Sequence, residues 1–109
     1  MVTRRRLTRG DVWWADLEPP AGRRPVVLVS RQTAYHQREL MLVVPVTTTA
    51  RVTVGQIVLG PDEGLREPSY ANAETIATVS QSRLLNRAGA LSPQKLAALD
   101  DALRYALDL

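Results

Sequence analysis

The sequence predicts a small, mainly β domain, an antiparallel barrel that is followed by a C-terminal α-helix. Five short apolar segments recur along residues 12–80, bounded by glycine, proline or polar residues, with no long helical pattern between them. After residue 91 the apolar period changes from that of a strand to that of a helix. Because parallel strands need long crossover connections, this spacing favours an antiparallel barrel over a parallel βαβ sheet.

Composition places each of the predicted strands. Gly10 opens the first strand and the breaker cluster EPPAG closes it. Pro25 begins the second, a position at which a strand accepts proline, and Pro45 in the third indicates an edge strand or a bulge. One helical turn is expected in the polar segment RQTAYHQRE. The five predicted strands cover 12–17, 25–30, 40–48, 52–60 and 70–80.

The C-terminal segment is predicted to form one amphipathic helix. Ser92 is a good N-cap, and Pro93 suits the first helical position. A helix whose apolar face packs on the sheet is the simplest interpretation. The apolar residues that recur at steps of three and four are Leu96, Leu99, Leu103 and Leu107.

Length and composition limit how the chain is organised. A chain of 109 residues has room for one modest core, so we expect a single domain over 1–109 with 1–8 as a flexible basic tail. The absence of cysteine excludes disulfides and thiolate metal sites and fits a reducing cytoplasm. No segment approaches the roughly 20 apolar residues that span a bilayer. We therefore expect a cytoplasmic protein with no membrane partner.

Charge is distributed unevenly along the chain. The formal net charge is +3, but residues 1–53 hold nine arginines against four acidic residues, whereas 54–109 hold more acids than bases. Arginine binds phosphate in a bidentate manner, so an arginine-rich half indicates a polyanionic partner. For the run RRR at 4–6, a solvated tail is the alternative interpretation.

Two arginines and a run of threonines form the candidate site. Arg23 and Arg24 precede the second strand, and the third strand ends in PVTTT, followed by Arg51. If these strands are antiparallel neighbours, the start of one lies beside the end of the other, so Arg24 and Thr47 share a rim. An arginine and a hydroxyl group at one rim form a phosphate site. The alternative is that β-branched threonines simply fill the end of a strand.

Other catalytic arrangements are disfavoured by the residue types present. His36 is the single histidine, so one chain supplies neither a histidine-based metal site nor a pair of catalytic histidines. It lies in a polar segment, where a solvated surface histidine is the simpler interpretation. The sequence has no glycine-rich phosphate loop and no nucleophile elbow. We therefore expect no metal and no cofactor.

Five motifs, taken in order and spacing, resemble one known family. They are RGDVWWADL, GRRPVVLVS, VVPVTTT, NAETIATVSQSRL and LSPQKLAALDDALRYALDL, and the resemblance covers residues 9–109. They are similar to the MazF/PemK toxins of bacterial toxin-antitoxin pairs. The resemblance implies a homodimer of small SH3-like barrels, a fold that is shared with the CcdB plasmid-maintenance toxins.

The resemblance also implies an activity. It implies a metal-independent, sequence-selective endoribonuclease that cleaves single-stranded RNA, arrests translation and growth, and is neutralised by a MazE-like antitoxin with an acidic tail. Attack by the substrate 2′-hydroxyl group, giving 2′,3′-cyclic phosphate and 5′-hydroxyl ends, is the expected chemistry. By position Arg24 and Thr47 match the family's catalytic arginine and threonine. The expected RNA-binding residues are Arg23, Thr48, Arg51 and Glu74.

Two alternatives and one departure accompany this resemblance. The alternatives are a catalytically silent relative that binds only RNA or antitoxin, and a CcdB-like gyrase inhibitor. The second depends on a tryptophan at the extreme C-terminus, whereas this chain ends in YALDL. The departure is the segment EPPAGR between the first two strands, which is shorter than in many family members. A more open groove is expected, so the cleavage-site preference of longer-loop relatives does not transfer.

Overall fold

The computed structural model describes residues 5–50 and 54–109 of the chain. Over these residues, seven strands and two α-helices form a curled antiparallel half-barrel with a C-terminal helix, which confirms the predicted fold class. The strands are β1 (Asp11–Asp16), β2 (Arg23–Leu28), β3 (Leu40–Thr47), β4 (Gln56–Leu59), β5 (Ser69–Asn72), β6 (Ala77–Ser80) and β7 (Leu84–Ala90), and the helices are α1 (Ala34–Gln37) and α2 (Pro93–Leu107).

The strand order is β4-β5-β3-β2-β1-β7, and β6 also pairs with β3. All of these pairs are antiparallel. On one edge β3 pairs first with β6, over 40–43, and then with β5, over 46–47, and Pro45 lies between these two segments. The edge-strand alternative for Pro45 is therefore wrong. Because β3 changes partner there, it accommodates a residue without an N–H group.

The segment 70–80, predicted as one strand, forms the two strands β5 and β6. A 3₁₀ turn at Ala73–Thr75 separates them. The Asn72 side chain caps this turn by accepting a hydrogen bond from the Glu74 N–H group. The predicted fourth strand is shorter than expected, since β4 begins at Gln56 and residues 52–53 lie outside the described residues.

Strand β7 was not among the predicted strands. Its sequence LLNRAGA lacks a regular apolar alternation, and only Leu84 is buried in it. It is held instead by pairing with β1. The register of this pairing shifts between Val12 and Trp13 and again between Trp14 and Ala15. Tertiary pairing therefore decides its conformation, against a weak local pattern.

Residues 5–8 lie against the sheet, which differs from the flexible tail expected for 1–8. Leu7 is buried, and the Thr8 N–H group donates to Asp11 Oδ2 at 3.1 Å. The Arg5 guanidinium donates to the Leu84 carbonyl oxygen and lies 5.8 Å from the centre of the Trp13 ring. Residues 1–4 lie outside the described residues.

Helix α2 begins at Pro93 as predicted. The Ser92 side chain accepts a hydrogen bond from the Lys95 N–H group at 3.2 Å, which is the expected N-cap. Leu99 and Leu103 are buried against one face of the sheet, whereas Leu107 is half exposed. The leucines of this face are therefore buried only as far as Leu103, and Ala106 continues the packing in the last turn.

Apolar clusters cover both faces of the sheet. On the α2 side the strands contribute side chains such as Val12, Val44 and Val46. The opposite side is formed by alternate residues of the strands. This second cluster also includes Leu7, Trp13, Tyr35 and Leu84. Since side chains two residues apart on a strand share a face, Val26 and Leu28 of β2 belong to this second cluster. The second cluster places Arg24, two residues before Val26, on the face opposite α2.

Candidate active site

Arg24 and Thr47 meet where β2 begins and β3 ends. The two strands are antiparallel, with Val26 opposite Pro45 and Leu28 opposite Val43. Extending this register by two residues sets Arg24 opposite Thr47. The shared rim predicted from the sequence therefore exists in the fold.

Two cavities adjoin this rim. One, of about 290 Å³, lies beside Trp14 and is called the Trp14 cavity here. The other, of about 280 Å³, lies beside Asn72 and is called the Asn72 cavity. Of the described residues, Arg24 and Thr47 alone line both cavities. A group bound between these two side chains would have room for its neighbours on either side.

The Arg24 side chain is held in place by the turn that precedes β2. Its Nε–H group donates to the Ala21 carbonyl oxygen at 3.3 Å. Gly22, with φ +63°, supplies the left-handed conformation of this turn, which an L side chain rarely adopts. Within residues 5–50 and 54–109, the two terminal nitrogens of Arg24 make no hydrogen bond or ion pair. They can therefore donate to a ligand in a fixed geometry.

The Thr47 hydroxyl group is oriented in a similar way. Its Oγ1 accepts a hydrogen bond from the Thr49 N–H group at 3.1 Å. A hydroxyl group that accepts one bond still has its hydrogen to donate. Thr47 is half-buried, so this hydrogen can be offered to a ligand at the rim. Thr48 follows it and lines the Trp14 cavity.

Arg23 points away from Arg24, because successive side chains of a strand alternate between its faces. Its guanidinium carbon lies 5.5 Å from the centre of the Trp14 ring, within the range of a cation-π contact. It is exposed and lines the Trp14 cavity. Arg24 therefore lies at the rim, whereas Arg23 lies in the wall of the Trp14 cavity.

Glu74 is not brought into either cavity. It lies exposed in the 3₁₀ turn that follows β5. Its neighbours Asn72 and Thr75 line the Asn72 cavity instead, and the Thr75 hydroxyl group donates to the Asn72 carbonyl oxygen at 2.8 Å. Arg51, the remaining predicted RNA-binding residue, lies outside the described residues.

The loop before β5 and the first residue of that strand contribute side chains that the sequence did not identify. Arg66, Glu67 and Ser69 all line the Trp14 cavity. They reach it because β5 pairs with the end of β3, with Thr47 opposite Tyr70. The position of this loop depends on a pairing that no local pattern specifies. The charged pair at 66–67 in a loop was the available signal, because loops often carry functional residues.

The short loop between β1 and β2 forms a wall of the site. Leu17 and Ala21 from this loop line the Asn72 cavity. The loop is closed by hydrogen bonds from the Leu17 N–H group to the Gly22 carbonyl oxygen and from the Ala21 N–H group to the Glu18 carbonyl oxygen. Its compactness leaves the rim accessible from the Asn72 cavity.

The site is electropositive. The Trp14 cavity is lined by three arginines, Arg23, Arg24 and Arg66, and by one acid, Glu67. Such a surface favours an anionic ligand, and the bidentate geometry of arginine suits phosphate. In the described part of the chain, no three side chains of the histidine, cysteine, aspartate and glutamate types are grouped so that they could hold a metal ion. No described helix is long and apolar enough to cross a membrane.

Comparison with known proteins identifies the family. The sequence model of the family described as PemK-like, MazF-like toxin of type II toxin-antitoxin system matches residues 8–107. Probable endoribonuclease MazF5 of Mycobacterium tuberculosis is 38% identical over 101 residues, which covers 92% of this chain and 92% of that protein. Endoribonuclease MazF9 of the same organism is 37% identical over 115 residues, which covers 94% of this chain and 98% of that protein.

A solved structure shows the same likeness in three dimensions. An endoribonuclease in complex with its cognate antitoxin, from a mycobacterial species, superposes with a TM-score of 0.85 and 29% identity. The match covers 95% of this chain and 97% of that one. The fold and the basic rim define a small β-sheet protein with a site suited to phosphate. The chain belongs to the PemK-like, MazF-like toxins of type II toxin-antitoxin systems, which are endoribonucleases.

Proposed function

We propose that this MazF-type endoribonuclease toxin cleaves single-stranded RNA at the Arg24–Thr47 rim and thereby arrests translation and growth. The observation that supports the site most strongly is that these two residues line both adjoining cavities. A scissile phosphate at the rim would contact both side chains, while the nucleotides on its two sides occupy the Trp14 and Asn72 cavities. Translation occurs in the cytoplasm, so we place the protein there.

The proposed reaction uses the nucleophile that RNA itself carries. The 2′-hydroxyl oxygen forms a bond to the adjacent phosphorus, and the bond from phosphorus to the 5′-oxygen breaks. The 2′-hydroxyl proton is lost, and the departing 5′-oxygen takes up a proton. The products are a 2′,3′-cyclic phosphate and a 5′-hydroxyl group, so no protein nucleophile and no metal-bound water is needed.

Arg24 stabilises the transition state in this proposal. Charge accumulates on the non-bridging phosphate oxygens as the phosphorus becomes five-coordinate, and a guanidinium group fixed beside them stabilises that charge. The hydrogen bond from Nε to the Ala21 carbonyl oxygen keeps the terminal nitrogens in position before the substrate arrives. A guanidinium group is a charged donor that has no acceptor atom, so Arg24 serves as a donor and not as a general base.

Thr47 supplies a second donor. Its Oγ1 accepts a hydrogen bond from the Thr49 N–H group, and its own hydrogen remains available to a phosphate oxygen. Arg23 and Thr48, in the wall of the Trp14 cavity, bind the RNA next to the scissile phosphate. Arg51 and Glu74 remain RNA-binding residues on the family resemblance alone.

A cleavage assay with a mixed RNA pool tests the proposed function. We expect purified protein to cut the pool at a limited set of sequences, and to do so equally well in excess EDTA, because the reaction needs no metal ion. Protein carrying Arg24→Ala, prepared in parallel, controls for contaminating nucleases. Intact RNA after prolonged incubation would favour the catalytically silent alternative, and loss of cleavage in EDTA would overturn the metal-independent mechanism.

We also propose two protein partners, a second copy of this chain and an acidic antitoxin. One chain of 12.0 kDa supports only a modest core, so a two-fold dimer that builds the groove from both copies is the expected assembly. An antitoxin with an acidic tail would cover the arginines of the Trp14 cavity and exclude RNA by charge and volume. Light scattering should give twice the mass of one chain, and a larger mass after the antitoxin is added. A monomeric mass at micromolar concentration, or no increase with antitoxin, would contradict these assignments.

A further inference from the structure

The arginine and lysine side chains that the structure describes fall into two groups that occupy different places. One group forms ion pairs with carboxylates, and none of its members lines the cavities described above or the cleft described below. The other group makes no ion pair with any described residue, and every member lines a cavity or cleft. The paired basic residues are Arg9, Arg83, Arg87, Lys95 and Arg104. The unpaired ones are Arg23, Arg24 and Arg66 at the candidate active site, and Arg5, Arg6, Arg31 and Arg38 elsewhere.

Three arginines of the second unpaired set, Arg5, Arg6 and Arg38, line a larger cleft. This cleft, of about 670 Å³, lies between residues 5–7, helix α1 and the 3₁₀ turn at Gln81–Arg83, and is called the α1 cleft here. Its polar lining includes Arg5, Arg6, His36 and Arg38. Arg31 lies close by, in a smaller cavity of about 270 Å³ that shares Arg38 with the α1 cleft. The candidate active site accounts for none of these residues.

The walls of the α1 cleft are fixed to one another. Gln81 Nε2 donates to the carbonyl oxygens of Tyr35 at 3.0 Å and Arg38 at 2.9 Å. Glu39, the acidic residue in the lining, accepts from the Ser80 hydroxyl group at 2.6 Å and from the Ser82 N–H group at 3.0 Å. Its carboxylate therefore holds the wall together, and the three arginines of the lining outnumber this one acid. The cleft stays electropositive.

The α1 cleft lies on the face of the sheet that carries Arg24, whereas Arg23 and the Trp14 ring lie on the opposite face. Arg24 shares its face of the sheet with Val26 and Leu28. The apolar cluster that contains these two residues also contains Leu7 and Leu84, which line the α1 cleft. The rim lies at the end of β3 and the cleft at its beginning. At the rise of a strand, the eight residues of β3 separate them by about 23 Å. A stacked strand of RNA covers that distance in about seven nucleotides.

We propose that the α1 cleft is a second RNA-binding site, which holds the backbone phosphates of the substrate several nucleotides away from the cleaved bond. This inference rests on the proposed function, and it adds that the preferred substrate is an RNA longer than the stretch cut at the rim. Arg6 and Arg38 are exposed and make no hydrogen bond or ion pair through their side chains with a described residue. Phosphate contacts of this kind need only cationic donors, and they read no sequence.

The apolar lining of the cleft disfavours an antitoxin tail as its occupant. Leu7, Tyr35 and Leu84 line it but are each more than nine-tenths buried, so these three side chains themselves offer little surface to the hydrophobic side chains of an amphipathic peptide. Burial also raises the pKa of the Tyr35 phenol to about 12, so this side chain adds no negative charge at neutral pH. An RNA backbone requires positive charge and hydrogen-bond donors, which the cleft supplies.

The test compares short and extended RNA. One substrate has about three nucleotides on each side of the cleavage site, and two others are extended by about ten nucleotides, one at the 5′ end and one at the 3′ end. All three carry a 2′-deoxy sugar at the cleavage site, so affinity is measured without cleavage. We expect one extended RNA to bind about tenfold more tightly than the short one, with a salt dependence that is steeper by about 1.4 in log-log slope for two further phosphate contacts.

The variant Arg6→Ala/Arg38→Ala should abolish this gain and leave affinity for the short RNA unchanged. With cleavable RNA it should raise KM for the extended substrate about tenfold at unchanged kcat, since only binding away from the bond is lost. Arg6→Lys/Arg38→Lys, which keeps the charge, and Arg104→Ala, which removes an exposed arginine of α2, serve as controls.

Three results would overturn the proposal. The first is that the unmodified protein binds short and extended RNA with equal affinity. The second is that the double alanine variant loses affinity equally for both RNAs. The third is that this variant loses binding of the antitoxin tail while its affinity for RNA is unchanged. The last result would make the cleft a peptide site. Because affinity is measured on uncleavable RNA, absence of cleavage would refute the proposed function and leave this measurement interpretable.

Discussion

Replacing Arg24 with alanine is expected to lower kcat for RNA cleavage by at least about 100- to 1000-fold, the usual cost of losing one preorganised donor to a developing oxyanion. Arg24 is the basic residue at the rim that also lines both cavities, and its terminal nitrogens have no partner among the described residues. Single-turnover rates at saturating protein measure this loss directly. Circular dichroism on the same preparation verifies that the variant is folded.

Arg23→Ala is the matched control for this prediction. It removes the same charge from the adjacent residue, but Arg23 lies over the Trp14 ring on the other side of β2. Its loss should weaken RNA binding and raise KM, with a much smaller effect on kcat. Thr47→Val, which keeps the shape of the side chain, should reduce kcat by somewhat less than Arg24→Ala. If Arg23→Ala and Arg24→Ala had equal effects on kcat, the rim would not be the catalytic position.

The central part of the fold could be predicted because local patterns specify it. Gly10 directly precedes β1, and Ser92 with Pro93 marks the start of α2, whereas β2 begins at Arg23, two residues before the predicted Pro25, because its first two residues pair with β1. The juxtaposition of Arg24 with Thr47 followed from a single assumption, that β2 and β3 are antiparallel neighbours. Such neighbours are common because consecutive strands usually pair.

The remaining features depend on contacts between distant parts of the chain. Strand β7 is defined by its pairing with β1. The split between β5 and β6 depends on the Asn72 side chain, which caps a 3₁₀ turn inside a segment whose sequence resembles one continuous strand. The contribution of Arg66 to the Trp14 cavity requires β5 to lie beside the end of β3. A pairing of this kind brings together residues far apart in sequence, so no local pattern could indicate it.

The unpaired arginines show a further limit of sequence analysis. The sequence identified an arginine-rich N-terminal half and weighed RRR as a solvated tail. It could not separate Arg9, which forms an ion pair with Asp100 at 2.7 Å, from Arg6 and Arg38, which do not. Only the fold decides which charges are neutralised, since the partner carboxylate of Arg9 is on α2. The charge that remains available for RNA is therefore a property of the tertiary structure.

An RNA with a single 2′-deoxy sugar at the cleavage site should bind this protein normally and remain intact. The change removes only the nucleophile, and every group that Arg24 and Thr47 would contact on the phosphate is still present. Cleavage of the all-ribose RNA should leave a 2′,3′-cyclic phosphate and a 5′-hydroxyl group. End-labelling distinguishes these products from those of water attack, because polynucleotide kinase labels a 5′-hydroxyl end without prior phosphatase treatment. A 2′-deoxy sugar one nucleotide away is the control, and this RNA should be cut at close to the normal rate. Cleavage at the substituted position, or release of 5′-phosphate ends, would show that the nucleophile is not the substrate's own hydroxyl group and that the rim performs a different reaction.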